Sequence, residues 1–147
     1  MDSFSKRMGA VVTAVVYVLL AAGLAAYIGI PWIAKALLFY FQVYVPTLIA
    51  MYVGGAAGFW LLVEFLLIMR SVKAGTPFID RNVRSLKHIA ICCAIAAAAV
   101  IWIFCFRPAV GIGLCAVILI FGMLCAIVLA SVFKQAVAYK QDQDLTI

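Results

Sequence analysis

Charge is the scarcest commodity in this chain. Of 147 residues only 11% are Asp, Glu, Lys or Arg, while 69% are hydrophobic. A soluble domain carries about a quarter charged residues, so this chain lacks the polar surface a water-soluble globule needs. Acids are scarcer still, at five against eleven bases, and there is one histidine. A single histidine excludes a bis-His haem and a histidine-built zinc hydrolase. Paired carboxylates for acid–base work, a phosphate-binding loop and a nucleophile constellation are missing as well, which argues against an enzyme. Gly111 and Gly113 lack the strand context of a dinucleotide fingerprint. The five cysteines show no Cys-x-x-Cys spacing, and Cys92, Cys93, Cys105, Cys115 and Cys125 all fall in apolar stretches where free thiols pack as small hydrophobes. Neither a metal nor a cofactor is expected. A thiol or metal site joining Cys92 and Cys93 to Cys125, or a His88–Cys92 ligand pair four residues apart, is the minority reading of those positions.

Long apolar runs are what the chain does have. Met8 to Ile30 holds no charge, Ala36 to Val63 holds none, Ile89 to Phe106 is apolar, and so is Pro108 to Phe133. Eighteen residues at 1.5 Å each span about 27 Å, close to the roughly 30 Å hydrocarbon core of a bilayer. In lipid every backbone amide must be satisfied internally, so such runs must be helical. The expected fold is all-α: an integral membrane four-helix bundle of two antiparallel hairpins in one domain. Its helices fall near 8–30, 46–69, 80–106 and 109–139, the last two extending into the cytoplasm. Lys6 and Arg7 before the first run resemble a signal peptide, but the run exceeds the 7–15 residues of a secretory core and reads as a retained helix.

Basic residues set the expected orientation. Lys6, Arg7, Arg70, Lys73, Arg81, Arg84, Lys87, Lys134 and Lys140 fall on one side; Lys35 and Arg107 fall on the other. The positive-inside rule then puts both termini and the central loop in the cytoplasm. The net charge of +6 thus has a topological or anionic-lipid explanation, and no direct nucleic-acid contact is expected. The outer link from Pro31 to about Val45 carries Trp32, Phe39, Tyr40, Phe41 and Tyr44, and reads as an interfacial aromatic segment.

Glu64 is the most informative single residue. An acid inside a span costs about 2.5–3.5 kcal/mol on insertion scales, so it faces protein, water or a base. Arg84, Lys87 and His88 open the next helix and can supply a boundary partner; a proton or cation path through Glu64 is the alternative. Gly54 and Gly58 form a GxxxG pair, and Gly122, Ala126 and Ala130 repeat at four residues. Small residues at this spacing let helix backbones approach in lipid, either within the chain or between copies in a homo-oligomer.

Two pieces lie at the basic end. Gly75 and Pro77 break the second helix, and a new helix is expected from Asp80, a good N-cap residue type. Its Arg81, Arg84 and Lys87 form a basic stripe. The tail after Phe133 extends the fourth helix, then ends in Asp142, Asp144, Leu145 and Ile147. These pieces form an expected docking element: Phe78, Asn82, Arg84, Leu86 and Lys87 with Asp144, Leu145 and Ile147. In it the tail folds back, an acid on the basic stripe and Leu145 in a notch near Phe78 and Leu86.

Pro77-Phe78, Asn82-Val83, Leu86 and Ile89, with the tail Gln143-Asp144-Leu145-Thr146-Ile147, resemble the bacterial family catalogued as domain of unknown function 2975. Family members often place an acid before the Asn, where this chain has Arg81. The resemblance implies a small four-helix protein of the bacterial cell membrane with no established activity. Family genes often adjoin a helix-turn-helix regulator, which implies a membrane partner or tether for a cytoplasmic transcription factor. An ion-handling protein and a purely structural, oligomerising one are the competing expectations.

Overall fold

The computed structural model describes the backbone of residues 3–37 and 41–146, with side chains at 7–33, 35–36 and 45–146. Four helices account for nearly all of it: α1 (Ser3–Leu37), α2 (Phe41–Lys73), α3 (Asp80–Phe106) and α4 (Val110–Leu145). Each contains a segment long and apolar enough to cross a membrane. The chain is thus an all-α, multi-pass membrane protein.

The connection between the first two helices differs from expectation. Pro31 and Pro46 lie inside α1 and α2, so most of the expected link from Pro31 to about Val45 is helical; Leu38, Phe39 and Tyr40 lie outside the described residues. A proline costs its helix one backbone hydrogen bond, whereas an irregular segment near lipid would leave several amides unsatisfied.

Helix ends follow local chemistry. α2 closes in a Schellman turn: Gly75 has φ 74°, its N–H donates to Val72 O and the Thr76 N–H to Ser71 O. Only glycine takes that conformation without strain. Asp80 is not the N-cap of α3; extended Ile79 is, and Asp80 is the first helical residue, where its charge suits the positive helix end. α3 stops at Phe106, and Arg107, Pro108 and Ala109 alone separate it from α4.

The helices pack as an open row. α2 meets α1 and α3, α3 meets α2 and α4, and among the described residues α1 touches neither α3 nor α4. Lipid makes this tolerable, because tails solvate an apolar face as well as another helix would. α3 is the hub: a third of its most apolar stretch is buried, against 6–11% in the others. One face sets Cys92 and Ala96 against Ala57 of α2. Beside it Ile89, Ala90 and Cys93 pack with Ala126 of α4, and Leu61 and Ile68 of α2 also lie against this cluster.

Candidate functional site

The polar groups of the row collect where α2 ends and α3 begins. Glu64 sits on α2, nine residues before its end at Lys73, and is only 7% exposed. Trp60, one turn earlier on the same helix, donates its indole Nε1–H to Glu64 Oε1 at 3.2 Å. From α3, His88 brings Nδ1 to 2.8 Å from the same oxygen, and the Ser85 hydroxyl adds a third hydrogen bond to the carboxylate. An ionised Glu64 accepts all three. The partner of Glu64 is therefore the imidazole rather than Arg84 or Lys87, which are exposed. The His88 side chain is 44% exposed against 9% for that of Glu64, so the pair joins a buried acid to an accessible base.

Next along the α2–α3 seam Ala57 and Leu61 pack on Cys92 and Ala96. Among the described residues no hydrogen-bonded polar side chain continues from this pair deeper along the seam. Chemically the arrangement is an interhelical clasp that satisfies an intramembrane acid.

The turn beside it is held by Asn82, the most buried large side chain described, at 1% exposure. Its Nδ2 donates to Pro77 O at 2.7 Å, tying the chain leaving α2 to the first turn of α3. Phe78 then meets Phe133 of α4, ring centroids 5.4 Å apart. Pro77, Phe78, Asn82, Val83, Leu86 and Ile89 are thus the framework of this junction.

That placement revises the docking element. Asn82 and Leu86 are buried, so they shape the junction and do not form an exposed surface. Phe78 is part-exposed but packed on Phe133. Arg84 and Lys87 are exposed on α3. The tail does not fold back: α4 stays helical to Leu145, which is 85% exposed. Thr146 Oγ1 donates to Asp142 O at 2.6 Å and closes the last turn. Among the described residues no ion pair joins Asp142 or Asp144 to the basic stripe. Continuing the helix satisfies each successive amide, whereas turning back would leave them to water for the sake of weak exposed pairs. Ile147 lies outside the described residues.

The packing residues divide as well. A Cβ at Gly54 would stand 3.4 Å from Ala99 Cβ, and one at Gly122 would stand 3.8 Å from Cys93 Sγ. Ala126 is 5% exposed. Gly58 has nothing within 4 Å, whereas a Cβ at Gly55 would come within 2.9 Å of the Tyr27 ring. The α1–α2 contact therefore runs through Gly55 and the edge-on Tyr27–Tyr52 pair, not through Gly58. Cys92 and Cys93 are both buried, all five thiols are free, and among the described residues no three potential ligands gather for a metal.

Sequence reasoning overlooked Trp60, Ser85 and Gly55. The first two had a readable signal: Trp60 precedes Glu64 by four residues and Ser85 precedes His88 by three, so each pair shares a helix face. Gly55 had none, because only the position of α1 makes it a contact.

Neither a curated protein nor a solved structure matches the chain. A family model does, over residues 34–147, which takes in α2, α3, α4 and the junction built by Asn82 and Glu64. The chain belongs to the family described as "Protein of unknown function (DUF2975)".

Proposed function

We propose that this chain is a non-enzymatic protein of the bacterial cell membrane that holds a soluble cytoplasmic protein at the membrane surface. In this reading the four helices form two antiparallel hairpins, with both termini and the α2–α3 junction in the cytoplasm. Contact pairs support the alternation: Phe104 meets Gly113 while Phe78 meets Phe133, and Gly54 meets Ala99 while Glu64 meets His88. The nine-to-two division of basic residues supports the orientation.

The observation that carries the reading is the end of α4. Val137 is its last buried side chain, and every described side chain from Ala138 to Thr146 is exposed. Eight residues from Ala138 to Leu145 extend the helix by about 12 Å and present Tyr139 at 72% and Leu145 at 85% exposure. An ordered helix with exposed apolar side chains and no intrachain role is suited to insertion into a partner's groove. The family resemblance points to a helix-turn-helix regulator as that partner. A proton or ion pathway is less well supported, since the clasp leads into an apolar seam.

The test is co-purification, from detergent-solubilised membranes, of the full chain with the product of an adjoining helix-turn-helix gene. Tyr139→Ala with Leu145→Ala should abolish capture while leaving membrane insertion intact. Capture undiminished by the double substitution, or loss of a proton flux in liposomes on Glu64→Gln, would replace this reading. Reporter fusions after Ile147, at Thr76 and at Lys35 test the orientation, with only the Lys35 fusion expected to be active outside.

A further inference from the structure

A groove of about 500 Å³ runs along the outside of the α3–α4 pair. Its floor is apolar, with Ala94 on α3 and Met123 and Ile127 on α4; at one end stand Lys87, Ser131 and Lys134. From Met123 to Lys134 the α4 wall rises eleven residues, about 16 Å, which is close to half the roughly 30 Å hydrocarbon thickness. The groove is therefore one leaflet deep, apolar along its length and doubly cationic at its mouth.

We infer that this groove is a binding site for one anionic phospholipid of the leaflet on the basic side. The phosphate sits between Lys87 and Lys134 with the Ser131 hydroxyl as a further donor, and an acyl chain lies over Ala94, Met123 and Ile127. Charge complementarity selects this occupant. Basic pockets between transmembrane helices on the cytoplasmic side suit anionic headgroups, and long lysine side chains reach from a helix edge to the phosphate layer. A helix of a second copy would fill the apolar floor but would leave two lysines facing hydrocarbon. The groove is separate from the Tyr139–Leu145 stalk, so the two readings stand or fall independently.

The experiment is native mass spectrometry of the full chain released from mixed micelles of dioleoyl phosphatidylglycerol and dioleoyl phosphatidylcholine in equal amounts. Near a membrane surface each lysine contributes about fivefold, so the pair predicts a roughly 25-fold preference for one phosphatidylglycerol. Lys87→Gln and Lys134→Gln should each lower it about fivefold, and together bring it near parity. Ile127→Trp, which fills the floor at unchanged charge and at a lipid-facing position, should remove the retained lipid. Arg70→Gln with Lys73→Gln, an equal loss of charge outside the groove, should leave the preference in place. The inference is overturned if the Lys87/Lys134 double variant keeps the preference, or if the Arg70/Lys73 variant loses it equally. Displacement of the lipid by inorganic phosphate, or Ile127→Trp dissociating a dimer without changing lipid retention, overturns it too.

Discussion

α3 and α1 cross the same thickness of membrane and are held there in opposite ways. α3 is gripped on two faces by small side chains, Ala57 and Gly54 on one side, Gly122 and Ala126 on the other. It also carries three polar anchors, Asn82, Ser85 and His88. Among the described residues α1 has one neighbour, α2, met through Tyr27, while Val18, Leu24 and Ile28 face outward. In lipid, hydrophobicity does not distinguish an inner from an outer face. What differs is how closely a backbone can approach and whether polar groups find partners. α3 has both advantages and α1 has little of either.

Substitutions can break that contrast, and the largest effect is expected in the tightest seam. Ala126→Leu adds bulk where Ile89, Ala90 and Cys93 already close the space, and overpacking of this kind costs about 3 kcal/mol. A fall of the melting temperature in detergent, with proteolytic opening between α3 and α4, is the expected result. Unchanged melting would mean that the α3–α4 seam is as loose as that of α1.

Asn82→Ala ranks next. It leaves Pro77 O without its donor and empties a buried position, a loss of about 2 kcal/mol. Cleavage by protease at Gly75–Phe78 should speed up while the spans stay helical by circular dichroism. Gly55→Leu carries the contrast to α1. The Tyr27 ring can swing toward lipid, so the expected cost is about 1 kcal/mol, close to the worth of the Tyr27–Tyr52 contact. Cysteine cross-links between α1 and α2 should weaken while those between α3 and α4 persist.

Smaller effects sharpen the picture. Glu64→Gln keeps an acceptor for Trp60 and Ser85 but removes the charge opposite His88, and interhelical hydrogen bonds in membranes average about 0.6 kcal/mol. A small drop in melting temperature is expected, measured against Gly58→Ala as control. Gly58 has open space around it, so its replacement should change stability by less than about 0.5 kcal/mol. A large loss at Gly58 would reveal a contact with another copy.

Legibility followed the physics of each feature. The number of spans, the break at Gly75-Thr76-Pro77 and the short link at Arg107-Pro108 were readable, because length, apolarity and turn residues act locally. Glu64 stood out because an acid in a span needs a partner. That the partner is His88, with Ser85 and Trp60, depended on how α2 and α3 rotate about their axes, which no local pattern encodes. The GxxxG motif named Gly54 and Gly58, yet only Gly54 approaches α3 closely. Spacing marks where helices can approach without saying which face meets which neighbour. The tail was misread because its two acids and apolar end suggested a fold-back onto the basic stripe, whereas helix propagation from a long α4 adds one bonded residue at a time.

By itself the sequence determined that this is a helical, multi-pass membrane protein, since hydrocarbon admits no other backbone solution for four such runs. It also determined the basic end, because charge is carried by residue identity alone. Tertiary structure alone decided that the helices stand in an open row with α3 as its hub. It also decided that Asn82 and Leu86 are framework while Tyr139 and Leu145 are free. With lipid solvating every apolar face equally, hydropathy cannot rank those faces. Side-chain size, hydrogen-bond pairing and helix rotation do so only once the neighbours are in place.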